Sequence, residues 1–414
     1  MLSPKFIKSC GIYGGLIFFT ITGMVQPFFS LYAAEIGAST AVVGFMVTLR
    51  AVLPIFIAIP AGQLIDSIGP IKMVNIGCAL LIASLFTTFM SSSLFMLSLS
   101  QLLLGASIVI TASSLQVMVS NGDKKERNES IKKYSMWMSA GGMIGPLLGG
   151  GIVSLFDNEL LGYRMPFLLS CIISILCMFV LLYISRKYQH PDPSQAEVRP
   201  QDLLKPKGIV DSYTSGVHLT KIRSVQFGLI GTFLIMYIQA LYMSFLPLYL
   251  DELGYGAMFI SIAVALKGLS GILSRYLLGW IMKHNQLESI LIGAGLIAAL
   301  CVVVTPIAGL HVATIIILIL ILGGAVGVNL PISIMIMVND TNESDRGKLM
   351  GLRLLMNRFS QILSPAMFGI LGQTLGLTVA FYTGGIFLVA TMMGFYTISN
   401  KKLKIVKAKA RELE

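Results

Sequence analysis

About twelve apolar runs partition this chain, and most reach the ~20 residues that a helix rising ~1.5 Å per residue needs to cross a bilayer. They are centred near Phe19, Pro54, Leu81, Ile108, Ile144, Ile175, Met236, Ser270, Ile297, Leu322, Leu363 and Leu388. In hydrocarbon every backbone N–H and C=O must find a partner within the protein, which leaves helices or a closed barrel. The period-2 alternation of an outer-membrane barrel is absent, so each run reads as a helix. The expected fold class is an all-α membrane protein of twelve transmembrane helices. Hydrophobic residues form 55% of the 414 and charged residues 12%, a balance foreign to soluble domains. The stretch from Gly11 to Tyr32 is too long for a signal-peptide core and ends without a small-residue cleavage site, so it reads as the first span.

Basic residues fall on one side of this predicted topology. They crowd Lys5 and Lys8, the loop Asp123 to Lys133, the segment Arg186 to Arg223, Arg346 with Lys348, and the tail Lys401 to Arg411. The alternate loops carry only Arg164, so both termini are expected in the cytoplasm and the chain in the cell membrane. The formal charge of +11 is then the charge of cytoplasmic loops and implies no nucleic acid. Cys10, Cys78, Cys171, Cys177 and Cys301 lie in apolar stretches without ligand spacing, and the four histidines are scattered. No metal site, cofactor, disulfide frame or hydrolytic triad is suggested, and the chain does not read as an enzyme.

One long polar interruption, rich in proline and charge, divides the chain. The expected organisation is an N-terminal six-helix half over 1–188, a cytoplasmic linker over 189–222, a second half over 223–400 and a basic tail over 401–414. The halves echo each other. Glu35, Gly37, Arg50 and Gly62 map onto Glu252, Gly254, Lys267 and Gly279 at one constant offset, and Arg127 and Pro146 map onto Arg346 and Pro365 at an offset slightly larger. Parallel repeats of this kind build many secondary transporters, with the binding site near the midplane between the halves.

Three local patterns carry a family resemblance. The stretch from Gly62 through Asp66 and Gly69 to Lys72 resembles the cytoplasmic loop signature of the major facilitator superfamily. Gly141, Gly145, Pro146, Gly149 and Gly150 in the fifth span resemble the antiporter motif of its exporters, and Gly162 to Phe167 is similar to the element before its sixth span. The resemblance implies alternating access by a monomer. It implies that Asp66, set against the N-terminus of the eleventh span near Gly347, latches the cytoplasmic side shut. Ser67, Pro70 and Ile71 depart from that signature and thin the latch. Gly141, Gly145 and Gly149 recur every fourth residue, so they form one small face that lets another helix approach closely, while Pro146 bends the helix. Generic small-residue packing is the plain alternative for that face.

The charges inside the spans point to cargo. No Asp or Glu falls near the middle of any predicted span, whereas Arg50, Lys267 and Arg358 do. An ionised side chain at that depth costs at least ~2.5 to 3.5 kcal/mol and marks a partner or a wet cavity. With Gln26, Gln116, Gln239 and Tyr242 these cations form the candidate substrate site, selecting a small amphipathic anion that supplies the missing charge. Exporters of carboxylate metal chelators within the resembling family share this charge balance. The alternative is a proton-coupled multidrug antiporter that binds cations on aromatic faces and protonates a span-end acid such as Glu35.

Overall fold

The structure, a computed structural model, describes residues 4–120, 123–187, 217–342 and 345–411. Most of the expected linker and the side chains of Asp66 and Arg346 lie outside the described residues. Twelve long helices follow the predicted runs. They are α1 (Pro4–Glu35), α2 (Thr40–Ile68), α3 (Pro70–Met90), α4 (Leu94–Ser120), α5 (Lys124–Val153) and α6 (Glu159–Lys187), then α7 (Arg223–Glu252), α8 (Ala257–His284), α9 (Leu287–Ala308), α10 (Val312–Asn339), α11 (Arg346–Leu375) and α12 (Leu377–Arg411). By length and composition 11 of the described helices are apolar enough to cross a membrane. The exception is α11, whose first half carries Arg353, Asn357 and Arg358.

The repeat seen in sequence is a repeat in backbone geometry. Gly37 and Gly254 end α1 and α7 at φ of 91° and 81°, a left-handed turn that only glycine adopts cheaply. In each turn the third amide past the helix reaches back five residues, Ala38 to Ala33 and Tyr255 to Leu250, both at 2.9 Å. This is one capping motif used twice. Gly69, at φ 92°, turns the chain from α2 into α3, with Pro70 in the first helical turn where its missing N–H costs nothing.

Within each half the tightest seams are made by glycine. On α5 a β-carbon at Gly141, Gly145 or Gly149 would run into the backbone of α1, at Leu16, Thr20 and Met24 respectively. The four-residue face seen in the sequence therefore closes α5 onto α1 of its own half. Gly145→Leu is expected to unseat α1 and cut the amount of folded protein in the membrane, because backbone cannot move aside as a side chain does. Leu148→Ile, on the exposed face, should leave it unchanged. Detergent-solubilised yield and melting temperature of the two variants check this.

Across the halves, α2 packs on α11 and α5 packs on α8, and the closeness of these seams differs along the bundle. At the end away from the termini they are shut. A β-carbon on Gly369 would come within 2.9 Å of the Thr40 carbonyl and 3.1 Å of the Gly44 Cα, and one on Gly150 within 2.6 Å of the Ser261 Cβ. Thr48 donates to the Ile362 carbonyl at 3.1 Å, and the Tyr163 hydroxyl donates to Asp251 at 3.2 Å. At the terminal end Gly62, Gly279 and Gly351 have nothing within 4 Å of where a β-carbon would sit. The bundle is closed at one end and splayed at the other.

Candidate functional site

Between the halves lies a cavity of about 330 Å³ walled by α1, α2, α4, α7 and α11. Its floor is set by the approach of α2 to α4. The carbonyl of Arg50 rests where Gly105 has no β-carbon, so the two backbones touch at the depth where the cation is needed. One turn earlier on α4, Gln101 is 1% exposed, and its side-chain oxygen accepts from Arg50 Nε at 2.8 Å and from Nη2 at 2.6 Å. Phe29 presents its ring face to the guanidinium, 5.8 Å from centroid to Cζ. These contacts orient Arg50 without neutralising it, since an amide oxygen and a ring face carry no formal charge.

Opposite, Arg358 on α11 donates from Nη1 to Gln361 at 3.0 Å, and Gln361 donates to Asn357 at 2.8 Å. Gln26 of α1 and Gln239 of α7 complete the polar wall, and the Gln239 side-chain oxygen is buried with no hydrogen-bond partner among the described residues. Phe18, Phe19, Met236 and Met243 supply apolar surface. Among the described residues no Asp or Glu lines the cavity. The site thus offers two fixed cations, uncommitted amides and a soft apolar wall, which suits a small molecule with a negative end and a greasy end.

Of the candidate binding residues, Arg50, Arg358, Gln26 and Gln239 come together here and three do not. Tyr242 is buried inside the second half, its hydroxyl bonded to Thr305 and its ring against Phe381. Gln116 is exposed near the end of α4, where its carbonyl only receives the Ser120 hydroxyl. Lys267 is half-buried on α8 and does not line the cavity. Its backbone repeats that of Arg50, with the carbonyl resting on Gly323 of α10 as Arg50's does on Gly105. One turn before Gly323 stands Ile319, fully buried, in the place of Gln101. The acceptor is missing, and the Lys267 ammonium makes no hydrogen bond or ion pair among the described residues. Sequence reasoning missed Gln101, and a polar residue one turn before a glycine, Gly105, was the available signal for its contact with Arg50.

Among the conformational candidates, Gly62 faces open space, Gly69 makes the α2–α3 turn, and Gly141, Gly145 and Gly149 seat α1 with Pro146 against Gly23. Arg127 is exposed in the first turn of α5. Beside it Asp123 caps the helix by accepting the Glu126 amide at 2.9 Å, and Glu126 pairs with Lys8 at 2.6 Å. Arg164, in the second turn of α6, ties three helices at the closed end: it donates to the Tyr32 hydroxyl and to the Ser91 carbonyl, both at 2.9 Å.

Two six-helix halves around one polar central cavity define a membrane transporter rather than an enzyme or a structural protein. The chain belongs to the Major Facilitator Superfamily, whose sequence model matches residues 12–341. Among curated relatives, the quinolone resistance protein NorB of Staphylococcus aureus is 29% identical over 140 residues, 34% of this chain and 29% of NorB. The chain thus aligns with less than a third of that relative's length. Among solved structures, the nucleoside transporter NupG superposes with a TM-score of 0.75 at 14% identity, covering 94% of this chain and 99% of NupG. A bacterial homologue of the human lysosomal transporter Spinster, solved inward-facing and unoccupied, gives 0.74 at 13% identity over 96% and 97%. At these identities the likeness is one of fold.

Proposed function

We propose that this chain is a secondary transporter that exports a small amphipathic organic anion by alternating access. The single observation that carries the reading is a central cavity holding Arg50 and Arg358 with no acid among the described residues of its wall. The unpartnered Gln239 oxygen adds a requirement. A buried acceptor left unsatisfied costs about 1 to 3 kcal/mol, so cargo that brings a hydroxyl or amide N–H beside its anionic group recovers that cost. A hydroxylated carboxylate of the kind used to chelate metals has both groups.

Direction follows from charge. The basic loops cluster at the terminal end, which favours that end as the cytoplasmic one, and the splayed seams open the cavity toward it. With the interior negative, moving one negative charge outward gains ~2.3 kcal/mol per 100 mV, so export of an anion needs no buried carboxylate to carry a proton. Lys267 belongs to the same electrostatic picture as a third cation near the midplane, on α8, where Ile319 supplies no acceptor.

A second reading has its own support. The similarity to a quinolone resistance protein, together with the aromatic and methionine wall, favours a proton-coupled multidrug antiporter in which Glu35 takes the proton. Proteoliposomes separate the two. With a potassium diffusion potential imposed, hydroxycarboxylate efflux from the terminal side should speed up as that side becomes negative, and efflux of a cationic dye should be slight. Dye extrusion that requires Glu35 and a proton gradient, with no anion movement, would overturn the first reading in favour of the second.

A further inference from the structure

A second cavity, of about 510 Å³, lies away from the halves' interface, on the outer face of the first half between α1, α3 and α6. Its shape follows from side-chain size. Small residues, among them Ser9, Gly14, Cys78 and Cys177, leave a trough between large neighbours. Tyr13 and Leu176, 54% and 61% exposed, form part of its lips, so the trough opens sideways where lipid lies. Along α1 it runs from Phe6 to Ile21, fifteen rises of ~1.5 Å or about 22 Å, and one leaflet of a ~30 Å hydrocarbon core is shorter than that.

The trough ends at a cationic rim. Lys5 sits one helical turn before Ser9, and Lys187 one turn after Ile184, so both fall on the faces that line it, at the terminal end of α1 and α6. Both are exposed, and neither pairs with an acid among the described residues. The Lys187 ammonium is held at 2.6 Å from the Tyr183 hydroxyl and 4.5 Å above its ring, contacts that leave its charge intact.

We propose that this groove binds one anionic phospholipid, with an acyl chain in the apolar trough and the phosphate headgroup on Lys5 and Lys187. A groove that a methylene chain fills and two unneutralised lysines at headgroup height are matched to one molecule, which neither feature selects alone. The proposal stands apart from the central cavity and holds whichever cargo that cavity carries.

The protein supplies its own reporter. Trp137 packs beside Tyr13 with ring centroids 6.0 Å apart, and the chain has one other tryptophan, Trp280, on the distant α8. In the Trp280→Phe protein, quenching of Trp137 by phosphatidylglycerol brominated on its acyl chain is compared with quenching by brominated phosphatidylcholine, in vesicles of each pure lipid mixed with its unbrominated form. The expected preference for phosphatidylglycerol is about fivefold or more, the factor that one lysine near an anionic headgroup confers. Two further proteins are measured: Lys5→Gln with Lys187→Gln, which removes the rim, and Cys177→Phe, which fills the trough. Both should lose the preference. Equal quenching by the two lipids overturns the proposal. A preference lost only with the lysines reduces the effect to general surface attraction and overturns it as well. A preference lost only in Cys177→Phe removes the headgroup from the recognition and equally overturns it. Native mass spectrometry of the rim variant, which loses only the contact of Lys187 with Tyr183 one turn away on the same helix, counts retained lipid independently; one phosphatidylglycerol bound to the parent and none to this variant is the supporting result, and equal retention refutes it.

Discussion

Replacing Arg50 by glutamine is expected to weaken binding of an organic anion roughly ten- to a hundredfold while leaving the amount of folded protein close to that of the parent. A charge-assisted hydrogen bond is worth ~1.5 to 3 kcal/mol, and each 1.4 kcal/mol is about tenfold in affinity. Folding is spared because the substituted amide can still donate to Gln101, so no buried acceptor is orphaned. Arg50→Lys should fall between the two, keeping the charge and losing the two-point grip that holds it in place. Cationic dyes should bind as well or better once a fixed positive charge is removed. Lys267→Met is expected to change anion affinity less than Arg50→Gln, because the cavity wall includes Arg50 and not Lys267. Equilibrium titration with a hydroxycarboxylate measures all three. Undiminished anion binding by the Arg50→Gln, Arg358→Gln double variant would remove the charge argument altogether.

The fold was largely legible because hydrocarbon allows so few structures: run length and hydropathy marked the helices, α11 most weakly, and the constant offset between Glu35, Gly37, Arg50, Gly62 and their partners gave the repeat. The site was legible only in part. Depth can be counted along a helix, and that count put Arg50, Arg358 and Gln239 at the level of the cavity whose wall they share. Facing cannot be counted when a helix is apolar all round, as α2 and α4 are, because no polar stripe marks the side turned to water. Tyr242 and Gln116 sit on cavity helices without lining the cavity, one turned toward Thr305 and one exposed near the end of α4. The pairing of Lys267 with Arg50 misled for a related reason. The backbone repeat is real, down to the glycine on which each carbonyl rests, but the halves have diverged at the next contact, where Ile319 replaces Gln101. A repeat in backbone does not carry a repeat in side-chain chemistry. The glycine face of α5 shows the same limit from another side: spacing reveals that some helix comes close, and only the structure shows that it is α1 of the same half, leaving Gly150 to make the contact across the halves.

That contrast between shut and open seams leads to the second large effect, which falls on turnover rather than binding. Gly62 on α2 and its counterpart Gly279 on α8 both face open space, and both lie toward the splayed end. Two glycines retained at matching places in a repeat, with no close neighbour in this conformation, are explained if those neighbours arrive when the end closes. Gly62→Leu is then expected to leave this conformation stable, even slightly more stable, since leucine favours helix over glycine by up to about 1 kcal/mol. Transport should nonetheless fall by tenfold or more, because the added side chain holds the seam apart. Gly105→Leu should behave in the opposite way. There a β-carbon meets the Arg50 backbone at once, so folding itself is lost, with overpacking that costs about 1 to 3 kcal/mol or more. Melting temperature, anion affinity and efflux rate measured together distinguish the two. Gly62→Leu should keep the first two and lose the third, with spin-label distances across the terminal mouth no longer shortening in any condition. A Gly62→Leu protein that transports at the parental rate would mean that α2 and its neighbours never close at this level, and the alternation would have to run through a different seam.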